Sequence, residues 1–283
     1  MSQEILRAAL TGSGRSQNDT LGEGGLFGRT SIADLTMTRI FLDEPMTVGD
    51  AVALRGDTAR YLLDVLRLQP GERFVIVDAG GRAFEVAVEA CLPGRVEVTV
   101  SAPLEGPGEP GVRLTLFQAL LKGKSFELVV QKSTELGVAA IVPVVTARTI
   151  ARPDAQRLEG RLERWGRIAL EACRQCGRTE VPEVCEPVTL DGALEQMMAA
   201  GTPALLPYEA MAGDGDTRLR QVLRSLAPAP ALSALVGPEG GFAPQEVDAA
   251  RAAGLRVVSL GSLILRAETA ALALVANVMY ELG

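Results

Sequence analysis

The chain has 283 residues, of which 47% are hydrophobic and 22% are charged, and its formal net charge is −7. This length predicts one large domain or two ordinary ones, each able to bury a core. The chain contains no histidine, which excludes Ser-His-Asp and Cys-His catalysis, histidine general bases and zinc proteases of the His-Glu-x-x-His type.

Residues 1–36 are polar and rich in glycine and show no sustained periodicity. We expect them to form an N-terminal extension without regular structure. The sequence shows no basic-then-apolar signal segment, and no apolar run approaches the ~20 residues that would span a bilayer. These features predict a cytoplasmic protein with no membrane partner.

Short strands separated by turn residues characterise residues 37–102. Residues 73–78 and 83–88 flank a glycine turn and predict a hairpin, and residues 96–100 alternate strictly between apolar and polar. A helix with Thr58 as its N-cap interrupts this pattern. The segment therefore predicts a small β-barrel with one helix.

Residues 103–111 contain several Pro and Gly residues and predict a linker between two domains. Strands and helices alternate after it. Strands are predicted at 113–120, 139–145, 202–207, 231–236 and 256–260, and helices at 125–136, 158–173, 244–253 and 268–282. This alternation predicts an α/β domain over residues 112–283, with a parallel sheet covered on both faces.

Positive charge is concentrated in one part of this acidic chain. Residues 111–178 hold 12 Lys and Arg against 6 Asp and Glu, a balance of +6, so the rest of the chain sums to −13. All three lysines lie in this segment. A basic region in an acidic protein indicates an anionic partner, although a solvated helix face with i,i+4 pairs explains part of the excess.

Two of the four cysteines, Cys173 and Cys176, have the C-x-x-C spacing of metal and redox sites. A structural zinc site needs four ligands, and the chain has no histidine to complete one. Cys185 lies nearby in sequence, but Cys91 belongs to the β-rich segment. We expect free thiols and no metal.

Glycine-rich loops follow two of the predicted parallel strands. Gly123-Lys124-Ser125 fails as a phosphate loop because Gln118 occupies the position of the required first glycine. The residues Gly-Pro-Glu-Gly-Gly at 237–241 also fail the dinucleotide pattern. Ligands of open α/β sheets bind beyond the carboxyl ends of strands. The loops at 237–241 and 261–262, with residues 205–209 ending a third strand, therefore predict a ligand site lined by backbone groups.

The motifs at these loops resemble one known family. LVGPEGGF at 235–242 and SLGSLILRAETAALAL at 259–274 resemble the C-terminal signature of the RsmE family, the 16S rRNA (uracil-N3)-methyltransferases of the SPOUT superfamily. The likeness extends to QKSTELGV at 131–138 and covers most of residues 113–283. Leu263 and Ala267 depart from it, because the family usually has Arg and Thr there.

This resemblance implies a SPOUT domain with a parallel sheet and a C-terminal trefoil knot, preceded by a PUA-like RNA-binding barrel. It implies S-adenosylmethionine as cofactor, bound largely through backbone groups of the knot loops. It also implies a homodimer, for which the apolar helix at 268–282 is a plausible isologous interface. The residues expected to form the cofactor walls are Leu206, Gly237, Gly240, Leu260, Gly261, Ile264, Leu265 and Thr269.

The implied reaction also assigns roles to charged residues. Uracil N3 must lose a proton before or during its attack on the methyl group, so we expect Arg266 to stabilise the anionic base. Either Glu239 or Glu268 would receive the proton, directly or through water. A structural ion pair for Arg266, and helix capping for Glu239, are the alternatives.

For the RNA, the resemblance implies phosphate contacts by residues of the basic segment. These are Lys124, Lys132, Arg148, Gln175 and Arg178. The partner would be the 16S rRNA of the small ribosomal subunit. Two other functions stay open: a SPOUT methyltransferase acting on another RNA such as tRNA, and a non-catalytic RNA-binding or ribosome-assembly protein.

Overall fold

The computed structural model of the chain describes residues 38–105, 108–150, 155–211 and 218–283, without the side chains of 155–156. The extension predicted at residues 1–36 lies outside these ranges. Within them, the strands form two sheets, one on each side of the predicted linker. No helix in the described ranges is long and apolar enough to cross a membrane.

The first sheet has five strands in the order β1-β3-β4-β5-β2. They are β1 (Arg39–Phe41), β2 (Ala51–Arg55), β3 (Arg73–Val77), β4 (Ala83–Leu92) and β5 (Arg95–Leu104). β1 pairs with β3 in parallel and the other pairs are antiparallel. A small β-barrel was predicted, and the structure has these β-strands in one sheet, but β1 and β2 stay at its edges, so strand pairing forms an open half-barrel.

One helix packs against this sheet. It consists of α1 (Gly56–Arg60) continued by a π-helical turn (Tyr61–Val65), and it buries Ala59 and Leu62 in the sheet's apolar core. The helix was expected, but its N-cap is Arg55 rather than Thr58. Gly56 adopts a φ of +62°, a conformation open to glycine, and this lets the helix begin directly where β2 ends.

The second sheet is entirely parallel, as predicted, and follows the order β12-β10-β11-β6-β7-β8, with β9 also paired to β7. Its strands are β6 (Arg113–Ala119), β7 (Ala140–Val145), β8 (Glu183–Val184), β9 (Val188–Thr189), β10 (Ala204–Pro207), β11 (Ala231–Val236) and β12 (Arg256–Val258). β11 pairs with β6 along its whole length. The centre of the sheet is therefore the longest and most regular part.

Six helices accompany this sheet: α2 (Ser125–Glu135), α3 (Ala155–Cys176), α4 (Leu190–Ala200), α5 (Leu219–Leu226), α6 (Pro244–Ala252) and α7 (Ala267–Leu282). Residues of α2, α3, α5 and α7 share one apolar core, and residues of α4 and α6 share another. Adjacent strand residues divide between the two cores, as Leu116 and Phe117 do in β6. The sheet is thus covered on both faces, as the sequence predicted.

Several element boundaries differ from the prediction. β5 continues to Leu104, two residues into the predicted linker, and β12 ends at Val258 rather than at residue 260. The helices α4 and α5 were not predicted. The trefoil knot stays a prediction, because the strand order and register do not test how the C-terminal segment threads.

Candidate active site

The carboxyl ends of three neighbouring strands, β10, β11 and β12, open into a cleft with a volume of about 580 Å³. A cleft of this size suits a small-molecule ligand. Its lining comes mainly from the segments that end and follow these three strands, namely 207–209, 236–242, 259–261 and 263–266. Helices complete it with Ser125 at the start of α2 and with Ala267, Glu268 and Ala270 of α7.

The loop at residues 237–241, called the glycine loop here, packs against other parts of the protein. Gly241 has a φ of +64°, and a Cβ added there would collide with the Glu209 carboxylate. A Cβ at Gly237 would lie 3.0 Å from Cε2 of Phe242. Gly240 is exposed and has the Arg148 side chain beside it. The glycines therefore let Glu209 and Phe242 approach the backbone, a reason that the sequence did not reveal.

Beneath the glycine loop lies Gln118, the residue that ruled out a phosphate loop. It is fully buried near the end of β6, and its Nε2 donates to the carbonyl oxygens of Ala119 at 3.0 Å and Gly237 at 3.4 Å. A buried amide of this kind orders the backbone that it contacts. Gln118 thus joins the end of β6 to the first residue of the glycine loop.

The second wall of the cleft is the segment from Ser259 to Arg266. The Ser259 hydroxyl accepts from the Gly261 amide at 3.3 Å and donates to the Gly261 carbonyl at 3.1 Å, which forms a tight turn after β12. Gly261 has a φ of +132°, where a side chain would be strained. Leu263 and Ile264 follow and are 76% and 80% exposed. An apolar and largely backbone surface therefore faces the cleft.

Among the residues that the structure describes, three carboxylates and one cation line the cleft: Glu209, Glu239, Glu268 and Arg266. Arg266 is the N-cap of α7 in extended backbone conformation, and Glu268 lies in the first turn of that helix. Within the described residues, the exposed Arg266 guanidinium has no hydrogen bond or ion pair. The helix N-terminus adds partial positive charge beside it. This corner of the cleft favours an anion.

Six of the eight predicted wall residues line the cleft: Gly237, Gly240, Leu260, Gly261, Ile264 and Leu265. The three predicted catalytic residues also line it. Leu206 does not, because its side chain is fully buried in the core on the α4–α6 side. Thr269 is exposed on α7 and also falls outside the lining. The sequence placed residues 205–209 at the predicted ligand site but gave Tyr208 and Glu209 no individual role, and both line the cleft.

The predicted RNA contacts separate into two groups. Lys124 is exposed at the N-terminus of α2, and Arg148 is exposed after β7, so both lie at the edge of the sheet that carries the cleft. Lys132 lies further along α2 and forms an ion pair with Glu135 at 2.8 Å. Gln175 is exposed near the end of α3. Only Lys124 and Arg148 adjoin the cleft.

Arg178 has a different environment from the other predicted RNA contacts. It is 8% exposed, and its guanidinium pairs with Glu109 at 2.6 Å. The same guanidinium donates to the carbonyl oxygens of Thr134 at 3.0 Å and Val138 at 2.8 Å. Because Nε, Nη1 and Nη2 all have protein partners, this geometry does not support a phosphate contact. Arg178 instead joins the predicted linker to the end of α2.

The C-x-x-C cysteines are free thiols in the structure. Cys173 is fully buried in α3, and burial raises the pKa of its thiol to about 12. A thiol with so high a pKa is a poor nucleophile and a poor metal ligand at neutral pH. Among the described residues, no group of three or more Cys, Asp or Glu side chains is arranged to hold a metal ion.

Comparison with known families matches both halves of the chain. A family described as "RNA methyltransferase domain" matches residues 108–279, and one described as "RNA methyltransferase PUA domain" matches residues 54–100. The first match covers more than half of the chain and contains the entire cleft lining. The second covers four of the five strands of the first sheet wholly or in part.

Relatives and solved structures agree with these matches. The chain is similar to the ribosomal RNA small subunit methyltransferase E of Synechocystis sp., with 35% identity over 82% of this chain and 74% of the relative. The Mycobacterium bovis protein of that name is 33% identical over 82% of this chain and 87% of the relative. The Neisseria gonorrhoeae enzyme of that name, solved with S-adenosylmethionine, is 34% identical with a TM-score of 0.78 over 87% and 98% of the two chains.

The buried pair of Arg178 and Glu109 predicts a stability effect. Arg178→Ala should lower the free energy of unfolding by about 3 kcal/mol, because the partly buried carboxylate and two carbonyl oxygens lose their donor. Urea denaturation measures this change. Arg113→Ala is the matched control, since its pair with Glu180 is exposed and should be worth less than about 1 kcal/mol. Equal effects of the two substitutions would contradict a structural role for Arg178.

Proposed function

Since the chain belongs to the ribosomal RNA small subunit methyltransferase E family, we propose that it methylates N3 of one uridine in the 16S rRNA of the small ribosomal subunit. The methyl donor is S-adenosylmethionine, with which two similar structures, from Neisseria gonorrhoeae and Legionella pneumophila, were solved. The observation that carries the proposal is a cleft in which two glycine-containing loops meet Arg266 and Glu268.

The residues of the cleft fit this donor in size and charge. Its volume of about 580 Å³ lies in the usual range for cofactor sites. Gly237, Gly240, Leu260 and Gly261 line the cleft without bulky polar side chains, and Ile264 and Leu265 supply apolar surface. S-adenosylmethionine carries a positively charged sulfonium that supplies an electrophilic methyl group. The carboxylates of Glu209, Glu239 and Glu268 complement positive charge in the cleft.

Arg266 is proposed to hold the target base as an anion. Uracil N3 becomes nucleophilic only when its proton leaves, and the negative charge then spreads onto the two ring carbonyl oxygens. The described residues offer the Arg266 guanidinium no partner, so at the N-terminus of α7 it is free to bind that charge. The alternative of a structural ion pair between Arg266 and Glu268 receives no support from the described contacts.

Glu268 is the stronger candidate for the base that receives the N3 proton. It lies two residues from Arg266 in the first turn of α7 and lines the cleft. Glu239 lines the cleft as well, but its Oε1 already accepts the Lys122 amide at 2.7 Å. A carboxylate that holds a backbone amide has less freedom to accept and release a proton. We therefore assign the proton transfer to Glu268, directly or through one water.

Lys124 and Arg148 are proposed to bind rRNA phosphates beside the cleft, with Lys132 and Gln175 extending the contact along α2 and α3. Lys124 and Arg148 are exposed at the carboxyl edge of the sheet, so a strand of RNA held there would present its bases to the cleft. The first sheet, which matches the PUA description, would supply further RNA surface. Because rRNA is the substrate, we place the enzyme in the cytoplasm.

We also propose that the enzyme acts as a homodimer with a knotted C-terminal region. The inner face of α7 is occupied by the chain's own core through Ala271, Leu274 and Val278. On the opposite side of α7, Tyr280 is 88% exposed. We propose that this side contacts the second copy of the chain. Sedimentation velocity should give the mass of two chains, and a monomer at micromolar concentration would contradict this part of the proposal.

The methyl-transfer assay tests the proposed function. Unmethylated small subunits should accept tritiated methyl groups from S-adenosylmethionine, and digestion should place the label on N3 of uridine. Arg266→Ala should lower kcat by about 100-fold or more, since it removes charge stabilisation in the transition state. Glu268→Gln should lower kcat by about 100-fold or more through loss of proton transfer.

Outcomes of the same assay separate the other two functions. Label on tRNA but not on small subunits would indicate a methyltransferase with another RNA substrate. RNA binding with no methyl transfer to either RNA would indicate a non-catalytic RNA-binding protein. Full turnover by Arg266→Ala would remove its catalytic role.

The proposed phosphate contacts predict a change in salt dependence. Lys124→Ala should weaken binding to small subunits and reduce the slope of log K against log salt by about one charge. Arg251→Ala, which removes an exposed cation paired with Asp248 on α6, is the control and should leave the slope unchanged. Filter binding at several salt concentrations measures both slopes, and an unchanged slope for Lys124→Ala would exclude that contact.

A further inference from the structure

The glycine loop is held from two sides by side-chain hydrogen bonds to loops that carry basic residues. One is the turn at residues 120–124 after β6, and the other is the turn at residues 146–150 after β7. The first holds Lys122 and Lys124, and the second holds Arg148. The residues available to contact RNA and the residues lining the cleft are thus joined directly.

Glu239 makes the first connection. Its Oε1 accepts the backbone amide of Lys122 at 2.7 Å, across a sequence separation of 117 residues. A carboxylate that accepts a backbone N–H forms a charge-assisted hydrogen bond, which is stronger than one between neutral groups. This bond fixes the centre of the glycine loop to the backbone amide of Lys122, two residues before Lys124. Binding that orders residues 120–124 therefore also restricts the motion of Glu239.

Arg148 makes the second connection. Its Nη1 donates to the Gly240 carbonyl at 2.8 Å, and within the described residues its other guanidinium nitrogens have no partner. A guanidinium has five N–H donors in a fixed plane, so one can hold Gly240 while others bind a phosphate. The neighbouring Ala147 amide donates to Glu246 at 2.7 Å, and the other oxygen of Glu246 accepts the Ala243 amide at 2.8 Å. The turn after β7 thus contacts both Gly240 and the start of α6.

We propose that RNA binding and cofactor binding are thermodynamically coupled through these contacts, with Glu239 as the positioning residue. Phosphates bound at the two basic turns would order Lys122 and Arg148, which in turn would order the glycine loop before the cofactor arrives. A loop that is already ordered loses less entropy when it binds a ligand. By linkage, the cofactor must raise the affinity for RNA by the same factor. The inference rests on the function proposed above.

Calorimetric titration with S-adenosylhomocysteine tests the coupling, because this ligand has no methyl group to transfer. The dissociation constant is measured for the full chain alone and in complex with unmethylated small subunits. We expect the subunits to tighten binding about 10-fold, within the usual range for coupled sites. Reciprocally, saturating S-adenosylhomocysteine should tighten subunit binding by the same factor.

Three substitutions distinguish positioning from charge. Glu239→Gln keeps an oxygen that can accept the Lys122 amide in a weaker, neutral hydrogen bond, so it should keep most of the coupling factor of the unmodified chain. Glu239→Ala removes the acceptor, and its coupling factor should fall to about 2-fold or less. Glu195→Ala removes an exposed carboxylate of α4 and should change nothing. If Glu239→Gln behaved as Glu239→Ala does, the carboxylate charge and not the hydrogen bond would be responsible, and the positioning role would be overturned.

Hydrogen exchange supplies a readout that does not depend on ligand affinity. The Lys122 amide, protected by Glu239, should exchange much faster in Glu239→Ala and only slightly faster in Glu239→Gln. A coupling factor of 1 in the unmodified chain, or one that Glu239→Ala leaves unchanged, would overturn the inference while leaving the proposed function intact. Absence of S-adenosylhomocysteine binding both with and without subunits would overturn the two together.

Discussion

The site depends on one constraint, the parallel direction of β6, β7, β10, β11 and β12. Parallel strands end at the same edge of a sheet, so five loops that are far apart in sequence meet there. Contacts between the loops then determine their shapes. Glu209 fills the space that a side chain at Gly241 would need, and Glu239 holds the Lys122 amide. The cleft is therefore formed by loops that pack on one another, and the sheet supplies only their starting points.

The general architecture could be predicted from residue patterns because it follows from burial. Largely apolar runs such as 231–236 predicted buried parallel strands, and β11 has those bounds. The apolar face of residues 268–282 predicted α7, which begins one residue earlier at Ala267. The helices α4 and α5 were missed for different reasons. α4 has an irregular pattern of apolar residues, and α5 is only eight residues long, too short for its strong amphipathic pattern to stand out.

Residue roles that depend on contacts between distant loops could not be predicted in the same way. The family resemblance implied a phosphate contact for Arg178, but the pairing of Arg178 with Glu109 depends on where the linker runs. The resemblance also implied that Leu206 forms part of the cofactor wall, yet alternation along β10 directs its side chain into the core. Glu209, three residues later, reaches the cleft instead. Side-chain direction at strand ends is thus the information that residue patterns lacked.

The central claim is that the cleft beside the glycine loop binds S-adenosylmethionine. Calorimetric titration of the purified chain with this ligand, run beside Gly241→Ala, tests it most directly. The account predicts one site per chain, with affinity lost in the variant because the new Cβ must displace Glu209 and sits at a strained φ of +64°. Gly160→Ala, in the open surface of α3, should bind as the unmodified chain does. Equal affinity in Gly241→Ala and the unmodified chain would place the cofactor elsewhere and contradict the account.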